Sequence, residues 1–340
     1  MVNLGIIGCG HWGTNHIRIF NASSDAKVKI CCDKNKNRLN TLRITYPDLN
    51  VTSDYKSIIS DANIDAVVVA TPTATHYQIV KSALLNGKHV FCEKPLCINK
   101  DESKELMLLA EKKRRILMVG YVFLFNNGII ALKEYIKNKD LGRLYYLHLT
   151  RTNLGPIRDD VDVVYDLASH DISIASFLLN KWPNCVSVNA GYFLRKKISD
   201  IAFITLYYPN NILVHIHVSW LDPKKVRRAI CVGDKKMAVW DDLDATEPIR
   251  IFNKGVIREP FYSDYGEFQL LPREGEVISP PIKLIEPLRN QNAYFIECIN
   301  NKKRPLTDAV FGHNVTKVLE AVQLSIKNKG RIQKIPKMGS

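Results

Sequence analysis

The stretch VNLGIIGCGHWG, residues 2–13, joins an apolar run to three glycines spaced as G-x-G-x-x-G. The run predicts a strand, and the residues from 12 to 22 have the pattern of a helix. In such a turn Gly8 permits a tight bend, Gly10 lets the backbone approach a pyrophosphate, and Gly13 allows close helix packing. The helix N-terminus would supply amide donors to the phosphates. The stretch therefore predicts a dinucleotide-binding turn.

A carboxylate follows at the spacing that this motif requires. Asp33 ends the second predicted strand, 20 residues after Gly13, where it would accept hydrogen bonds from ribose hydroxyls. An acid there disfavours a 2′-phosphate, so the sequence predicts NAD rather than NADP. Lys34 and Arg38 work against this preference, since either could neutralise a phosphate. The structural alternative for Asp33 is an N-cap of the following helix.

Around this turn, residues 1 to about 120 alternate short apolar runs with helical patterns. The sequence predicts helices over 12–22, up to about 44, 74–86 and 101–115, and strands over Val2–Gly8, Lys27–Cys32, Asp65–Ala70, His89–Cys92 and Ile116–Gly120. Unbroken β-branched runs separated by helices indicate a parallel sheet covered on both faces. Residues 1–120 are thus predicted to form an α/β Rossmann domain with a doubly wound sheet.

The pattern changes from about residue 143. Strands are predicted over Leu144–Thr152, Cys185–Phe193, Ile201–Tyr208 and Ile212–Trp220, with helices over about 166–179 and 310–327. Alternating strands joined by turns are typical of an antiparallel sheet. Residues 259–281 are expected to be irregular, either lining a substrate pocket or covering a subunit contact. Residues 121–340 are predicted to be an α+β substrate and oligomerisation domain with an open, mainly antiparallel sheet.

Composition narrows the function classes. The 340 residues include 48 Lys and Arg against 34 Asp and Glu, a net charge of +14. The basic cluster at 112–115 closes a predicted helix, and the one at 224–228 is assigned to a turn between strands. Neither has interleaved aromatics, so both are interpreted as solvated surface, which disfavours a nucleic-acid role. No apolar run is long enough to span a bilayer, and the N-terminus lacks a basic segment of the kind that opens a signal peptide. We therefore expect a cytoplasmic protein.

The eight cysteines show no C-x-x-C pair and no histidine at zinc-ligand spacing. Reduced, mostly buried thiols and no metal site are expected.

Four motifs together resemble the glucose–fructose oxidoreductase, inositol dehydrogenase and rhizopine catabolism family, Gfo/Idh/MocA. They are Gly8–Gly13, Ala70-Thr71-Pro72-Thr73 with His76, Glu93-Lys94-Pro95, and Asp166-x-x-x-His170. The resemblance implies a Rossmann domain followed by an open sheet whose face mediates dimers or tetramers.

The catalytic candidates are Lys94, Asp166 and His170. Lys94 follows the fifth strand, where an ammonium could donate to the reacting oxygen of an alcohol. His170 is the candidate base, because its ordinary pKa suits proton exchange near neutral pH. Asp166, four residues earlier, shares a helix face with it and could orient the imidazole or touch a substrate hydroxyl. The alternatives are a surface lysine, an N-cap aspartate and a core histidine.

Further candidates complete the predicted site. The cofactor-binding set is Gly8, Gly10, His11, Trp12, Gly13, Asp33, Arg38, Thr71, Pro72, His76, Glu93 and Lys94. The substrate-binding set is Lys94, Tyr121, Asn153, Arg158, Asp166 and His170. Arg158 and Arg151 are both candidates for a diphosphate, with surface pairing of Arg158 to Asp159 or Asp160 as the alternative. His215 and His217 are expected on a sheet face without a catalytic role.

A narrower resemblance concerns the substrate. Gly10–Asn15, Asn153–Arg158 and Asp166–Ile172 look like members that oxidise nucleotide sugars, similar to UDP-N-acetylglucosamine 3-dehydrogenases. Such enzymes make a 3-keto sugar, which an aminotransferase converts to a 3-amino sugar for lipid A or other surface glycans. The alternatives are a dehydrogenase of a free polyol or hexose, a ketoreductase, and a non-catalytic NAD-binding regulator. A regulator is disfavoured because the lysine and the Asp/His pair are all present.

Overall fold

A computed structural model describes residues 1–260 and 268–338. Through residue 125, strands and helices alternate, with short 3₁₀ turns at Thr73–Thr75 and Val122–Phe125. The elements are β1 (Val2–Ile7), α1 (His11–Asn21), β2 (Ala26–Cys32), α2 (Lys36–Thr45), β3 (Asn50–Thr52), α3 (Tyr55–Ser60), β4 (Ala66–Val69), α4 (His76–Leu85), β5 (His89–Glu93), α5 (Lys100–Lys113) and β6 (Leu117–Gly120).

The next segment is mainly extended. Its elements are α6 (Asn127–Lys137), β7 (Leu144–Leu154), α7 (Ser169–Leu179), β8 (Cys185–Gly191), β9 (Ile201–Tyr208), β10 (Ile212–Ser219), β11 (Leu221–Gly233), β12 (Met237–Asp241), β13 (Ile249–Phe252), β14 (Gly255–Pro260), β15 (Phe268–Arg273) and β16 (Val277–Ile278). The last elements along the chain are α8 (Pro287–Asn300), α9 (Ala309–Lys327) and β17 (Gln333–Lys334).

The first sheet has six parallel strands in the order β3-β2-β1-β4-β5-β6. The apolar runs that predicted strands form its centre, and Ala66–Val69 are all fully buried. The strand order reverses between β1 and β4, and ligands of open α/β sheets bind at this switch point. The predicted Rossmann architecture is confirmed. The sequence analysis missed β3 and α3, both of which are short.

The second sheet has nine strands in the order β16-β13-β12-β11-β7-β10-β9-β8-β17. Its described pairs are antiparallel except β7 with β10. Helices α6 and α7 pack on one face through contacts to β12 and β7. The predicted open, mainly antiparallel sheet is thus confirmed.

The compact units differ from the predicted segments at the C-terminal end. One unit contains Met1–Phe125 and Glu286–Glu320, and the other contains Asn126–Ile285 and Ala321–Lys337. The sequence analysis had placed all of 121–340 in the second domain. Helix α8 joins the first unit because it packs against α1 and the turn at Val122–Phe125, contacts that no local pattern indicates.

Two local predictions were wrong. Lys224-Lys225 and Arg227-Arg228 were assigned to a turn, but they belong to β11, whose register shifts between Leu221 and Val226. Residues 259–281 were expected to be irregular, yet β14 pairs with β15 and β16 pairs with β13. The part of that segment at 261–267 lies outside the described residues.

A buried ion pair ties β7 to α7 in the second unit. The Arg151 guanidinium donates to both carboxylate oxygens of Asp171 at 2.9–3.2 Å, and the two side chains are only 4% and 2% exposed. Arg151 therefore cannot serve as the diphosphate-binding cation considered from the sequence. Its bidentate geometry offsets the cost of removing both charges from water.

Replacing Arg151 with Met should lower the free energy of unfolding by about 3–5 kcal/mol, because Asp171 would keep a buried charge without its partner. Arg228→Met, at a pair whose side chains are 48% and 23% exposed, is the control and should cost less than about 1 kcal/mol. Urea unfolding followed by tryptophan fluorescence measures both. Equal effects of the two variants would contradict the energetic importance of this pair.

Candidate active site

The glycine turn is closed by main-chain contacts that leave no room for side chains. Gly8 has φ +94°, and a Cβ there would lie 2.5 Å from the Ala70 carbonyl oxygen at the end of β4. A Cβ on Gly13 would lie 1.9 Å from the Gly8 carbonyl oxygen. A Cβ on Gly10 would meet only the Arg38 side chain, at 3.7 Å. The turn thus packs tightly on β4 while Gly10 leaves open space for a ligand.

Helix α1 begins at this turn, and the backbone amides of its first turn are available to bind an anion. Its N-cap is Gly10, no side chain caps its amides, and no acidic residue occupies its first turn. His11 and Trp12 are exposed there, with their rings packed edge to face at 5.4 Å. Amide donors without an internal acceptor, together with the positive end of the helix dipole, suit a pyrophosphate.

Asp33 lies beside the turn, at the carboxyl end of β2. Its Oδ2 accepts the Cys9 N–H at 2.7 Å and faces Arg38 Nη1 at 3.4 Å, while Oδ1 accepts the Asn35 N–H at 2.8 Å. Helix α2 is capped by Asn35, so the N-cap alternative for Asp33 does not apply. The carboxylate is therefore fixed next to the glycine turn, where the fingerprint requires it.

His76 links two loops at the same edge of the sheet. Its Nδ1 lies 2.9 Å from the Pro95 carbonyl oxygen and its Nε2 lies 2.9 Å from the Thr71 carbonyl oxygen. The ring is buried, which lowers the pKa of the imidazole despite these two contacts. This geometry differs from the expected cofactor contact: the ring holds the Thr71-Pro72 loop to the Glu93-Lys94-Pro95 segment. Pro72 itself is exposed.

Glu93 and Lys94 lie at the end of β5. The Glu93 carboxylate is buried, with Oε1 2.9 Å from His16 Nε2 and Oε2 3.3 Å from the Lys94 backbone N–H. The Lys94 side chain is half-buried at the carboxyl edge of the sheet. Glu93 therefore holds the backbone that carries the lysine. The sequence analysis missed His16, whose only signal is its position three residues after Gly13.

Tyr121 was a predicted substrate-binding residue, and its position contradicts that role. The side chain is 0% exposed, packs edge to face on Phe311 at 5.5 Å, and burial raises the pKa of its phenol well above the ordinary value. Although Tyr121 directly follows β6, its ring turns into the core.

In the second unit, Asp166 lies in a π-helical turn, Val164–Ala168, that leads into α7. Its Oδ1 accepts from Arg158 Nη1 at 3.2 Å and its Oδ2 accepts the Trp220 indole N–H at 3.1 Å. The sequence predicted one helix here and gave no signal for Trp220. The π-helical turn begins beside Asp162, whose carboxylate accepts the Tyr165 N–H at 3.0 Å.

His170 and Arg158 flank this aspartate along the chain. His170 is in the first turn of α7 and is 7% exposed. Arg158 bonds both Asp160, at 2.6 Å, and Asp166, and these partners raise the pKa of its guanidinium. Of the two partners considered for Arg158, Asp159 and Asp160, the structure shows Asp160. Asn153, another predicted substrate-binding residue, is half-buried at the end of β7. A guanidinium thus places positive charge next to Asp166, one of the candidate catalytic residues.

Several remaining expectations concern residues outside this site. Seven of the eight cysteines are buried and all are free thiols. His215 and His217 lie on the β10 face beside His148 and Phe203. Within residues 1–260 and 268–338, no group of three or more His, Cys, Asp or Glu side chains is arranged to bind a metal ion. Across the same residues, no helix is both long and apolar enough to cross a membrane.

Two family models match the chain and account for most of its length. Residues 2–121 match the oxidoreductase family with an NAD-binding Rossmann fold, and residues 129–239 match the GFO/IDH/MocA C-terminal domain. The chain belongs to the GFO/IDH/MocA family, and the expected cofactor, NAD, and enzyme class, an NAD-dependent dehydrogenase, are confirmed.

One sequence relative and two solved structures show what the chain is similar to. Inositol 2-dehydrogenase 2 of Saccharopolyspora erythraea is 31% identical over 227 residues, which is 64% of this chain and 66% of that protein. UDP-N-acetylglucosamine 3-dehydrogenase of Acidithiobacillus ferrooxidans has the same fold, with a TM-score of 0.81, 21% identity and coverage of 96% and 98%. GenD2 of gentamicin A biosynthesis, solved with NAD, has a TM-score of 0.83, 17% identity and coverage of 99% and 97%.

Replacing Asp33 with Ala should weaken NAD binding about tenfold to a hundredfold, since hydrogen bonds to a charged acceptor contribute about 1.5–3 kcal/mol. NADP binding should weaken less, so the preference between the two cofactors narrows. Arg43→Met, at an exposed arginine in the last turn of α2, is the control and should leave NAD binding nearly intact. Fluorescence titration with NADH and NADPH measures these affinities. Tighter binding of NADPH by the parent protein would contradict the role given to Asp33.

Proposed function

We propose that this protein oxidises a secondary alcohol of a sugar to a ketone, with C3 of a UDP-N-acetylhexosamine as the substrate position. The observation that carries the catalytic part is the placement of Lys94 at the carboxyl edge of β5, on a backbone held by buried Glu93. This edge also carries the glycine turn and Asp33. Ligands of doubly wound sheets bind at this edge.

Bound NAD supplies the hydride acceptor. Gly8, Gly10 and Gly13 with the α1 amides would hold its pyrophosphate, and Asp33 would hold a ribose. In this proposal the Lys94 ammonium donates to the reacting sugar oxygen and stabilises the developing alkoxide. His170 takes the hydroxyl proton, and Asp166 orients the imidazole or binds a neighbouring hydroxyl.

Arg158 supports an anionic substrate. Its side chain is 35% exposed, Nη1 donates to Asp166, and Nε and Nη2 donate to Asp160, so a diphosphate would take the place of Asp160 on the planar guanidinium. Guanidinium geometry fits a diphosphate, and the net charge of +14 suits an anionic ligand. A nucleotide sugar would then serve the biosynthesis of a 3-amino sugar for lipid A or other surface glycans.

A free polyol of the inositol type is the second candidate. It is favoured by the 31% identity to an inositol 2-dehydrogenase over about two thirds of the chain. The same Lys94, Asp166 and His170 would act on it.

We also propose that the chain forms a homodimer or homotetramer through the open face of the nine-stranded sheet, where Phe203 and Leu213 are 42% and 44% exposed.

Lys94→Ala should lower kcat by on the order of a hundredfold or more, because the alkoxide loses its cationic donor. NAD affinity should stay nearly unchanged. Lys100→Met removes a lysine of the same unit that pairs with Glu320 and should keep the parent kcat. NADH formation at saturating substrate is the measurement. Unchanged turnover of Lys94→Ala would remove the residue from the mechanism.

Substrate class is tested by following NADH formation with UDP-N-acetylglucosamine, other UDP-sugars, myo-inositol and glucose, with a ketone trap present. Turnover confined to UDP-sugars is expected, and turnover confined to myo-inositol would replace the first candidate by the second.

Arg158→Met should raise the KM for the UDP-sugar about tenfold to a hundredfold by removing charge-assisted hydrogen bonds. Arg250→Met, at a surface arginine paired with Asp244, is the control and should keep the KM.

A further inference from the structure

A buried histidine connects the cofactor helix α1 to the end of β5. His16 is 0% exposed, and its Nε2 lies 2.9 Å from Glu93 Oε1 while its Nδ1 lies 3.0 Å from Asn292 Oδ1 on α8. The ring packs edge to face on Phe91 at 4.9 Å. Three elements of the first unit therefore meet at one imidazole.

The hydrogen bond to Glu93 has a defined direction. An ionised carboxylate can only accept, so Nε2 must carry the proton. At Nδ1 the partner is the side-chain amide of Asn292. Nε2–H therefore donates to Glu93, and Asn292 holds the other side of the ring.

Glu93 in turn leaves little freedom to the residue that follows it. Its second oxygen faces the Lys94 backbone N–H at 3.3 Å, and a Cβ on Gly120 of β6 would lie 3.0 Å from that same oxygen. The carboxylate is thus enclosed by His16, β6 and the Lys94 backbone. Without the His16 donor, the buried Glu93 carboxylate would lose a hydrogen bond and would no longer be held in this position.

We propose that His16 is a positioning residue for Lys94, acting through Glu93 to hold the lysine backbone at the carboxyl edge of the sheet. The inference rests on the proposed role of Lys94 in catalysis. His16 does not act on the substrate itself, because its ring is fully buried and both nitrogens face protein groups. A displacement of about 1 Å at a catalytic group can cost about a hundredfold in rate. Loss of the His16–Glu93 hydrogen bond should therefore lower kcat.

The test uses two nearly isosteric variants. Gln places its amide nitrogen near the position of Nε2 and can still donate to Glu93, whereas Asn reaches only the position of Nδ1. We expect His16→Asn to lower kcat about tenfold to a hundredfold and His16→Gln to restore most of it, with NAD affinity changed by less than about threefold in both. His313→Gln is the matched control, since His313 is a buried histidine of the same unit that contacts Ser103 at 2.8 Å.

Three outcomes are informative. Rescue by Gln but not Asn, with an unaltered His313→Gln, supports the proposal. Equal kcat in the Asn, Gln and parent proteins, while Lys94→Ala has lost turnover, overturns it and leaves the function of Lys94 standing. Full turnover of Lys94→Ala overturns both. Unfolding midpoints of the variants, measured in parallel, separate a kcat effect from loss of folded protein.

A second measurement needs neither substrate nor cofactor. In protein labelled with ¹⁵N-histidine, His16 should give a slowly exchanging Nε2-bound proton that disappears in His16→Asn and shifts in Glu93→Ala. A His16 signal that is unaffected by Glu93→Ala would show that the imidazole does not donate to this carboxylate, and would overturn the proposal independently of any turnover measurement.

Discussion

The close approach of three main-chain segments at the β1–α1 turn is the constraint on which the first unit depends. Gly8 has a left-handed backbone and lies against the Ala70 carbonyl, and Gly13 lies against the carbonyl of Gly8. Any Cβ at either position would overlap main-chain atoms, so the turn would open. Because the turn directs α1 and aligns the ends of β1 and β4, the cofactor amides, Asp33 and the Thr71 loop all take their positions from it.

A second network of hydrogen bonds connects this turn to Lys94, the residue proposed to be catalytic. His16 is one turn along the helix that begins at the glycines, and it donates to the carboxylate that precedes Lys94. His76 makes a comparable link between the Thr71 loop and Pro95. Both imidazoles are buried and contact protein groups through both ring nitrogens, so they hold together the segments that they join. Rigid support of this kind is what a site needs for precise placement of a catalytic group.

Local patterns in the sequence sufficed for much of this structure. The glycine spacing and the position of Asp33 predicted the dinucleotide turn, because both depend on residues close along the chain. The β-branched runs likewise predicted the parallel sheet. Contacts between distant segments were not predictable: Asn292 meets His16 across 276 residues, Trp220 reaches Asp166, and α8 joins the first unit. Tyr121 and Arg151 were predicted to contact ligands, but burial against Phe311 and pairing with Asp171 decide their orientation.

The most direct test of this account is hydrogen–deuterium exchange of the intact protein with and without NAD, read by mass spectrometry. The account predicts slower exchange on NAD binding in peptides that contain residues 8–14, 33–38, 71–76 and 93–94, which follow the carboxyl ends of β1, β2, β4 and β5. Protection confined to the opposite edge of the sheet, around Val2, Asp65 and Lys88, would contradict the placement of the cofactor and of Lys94 beside it.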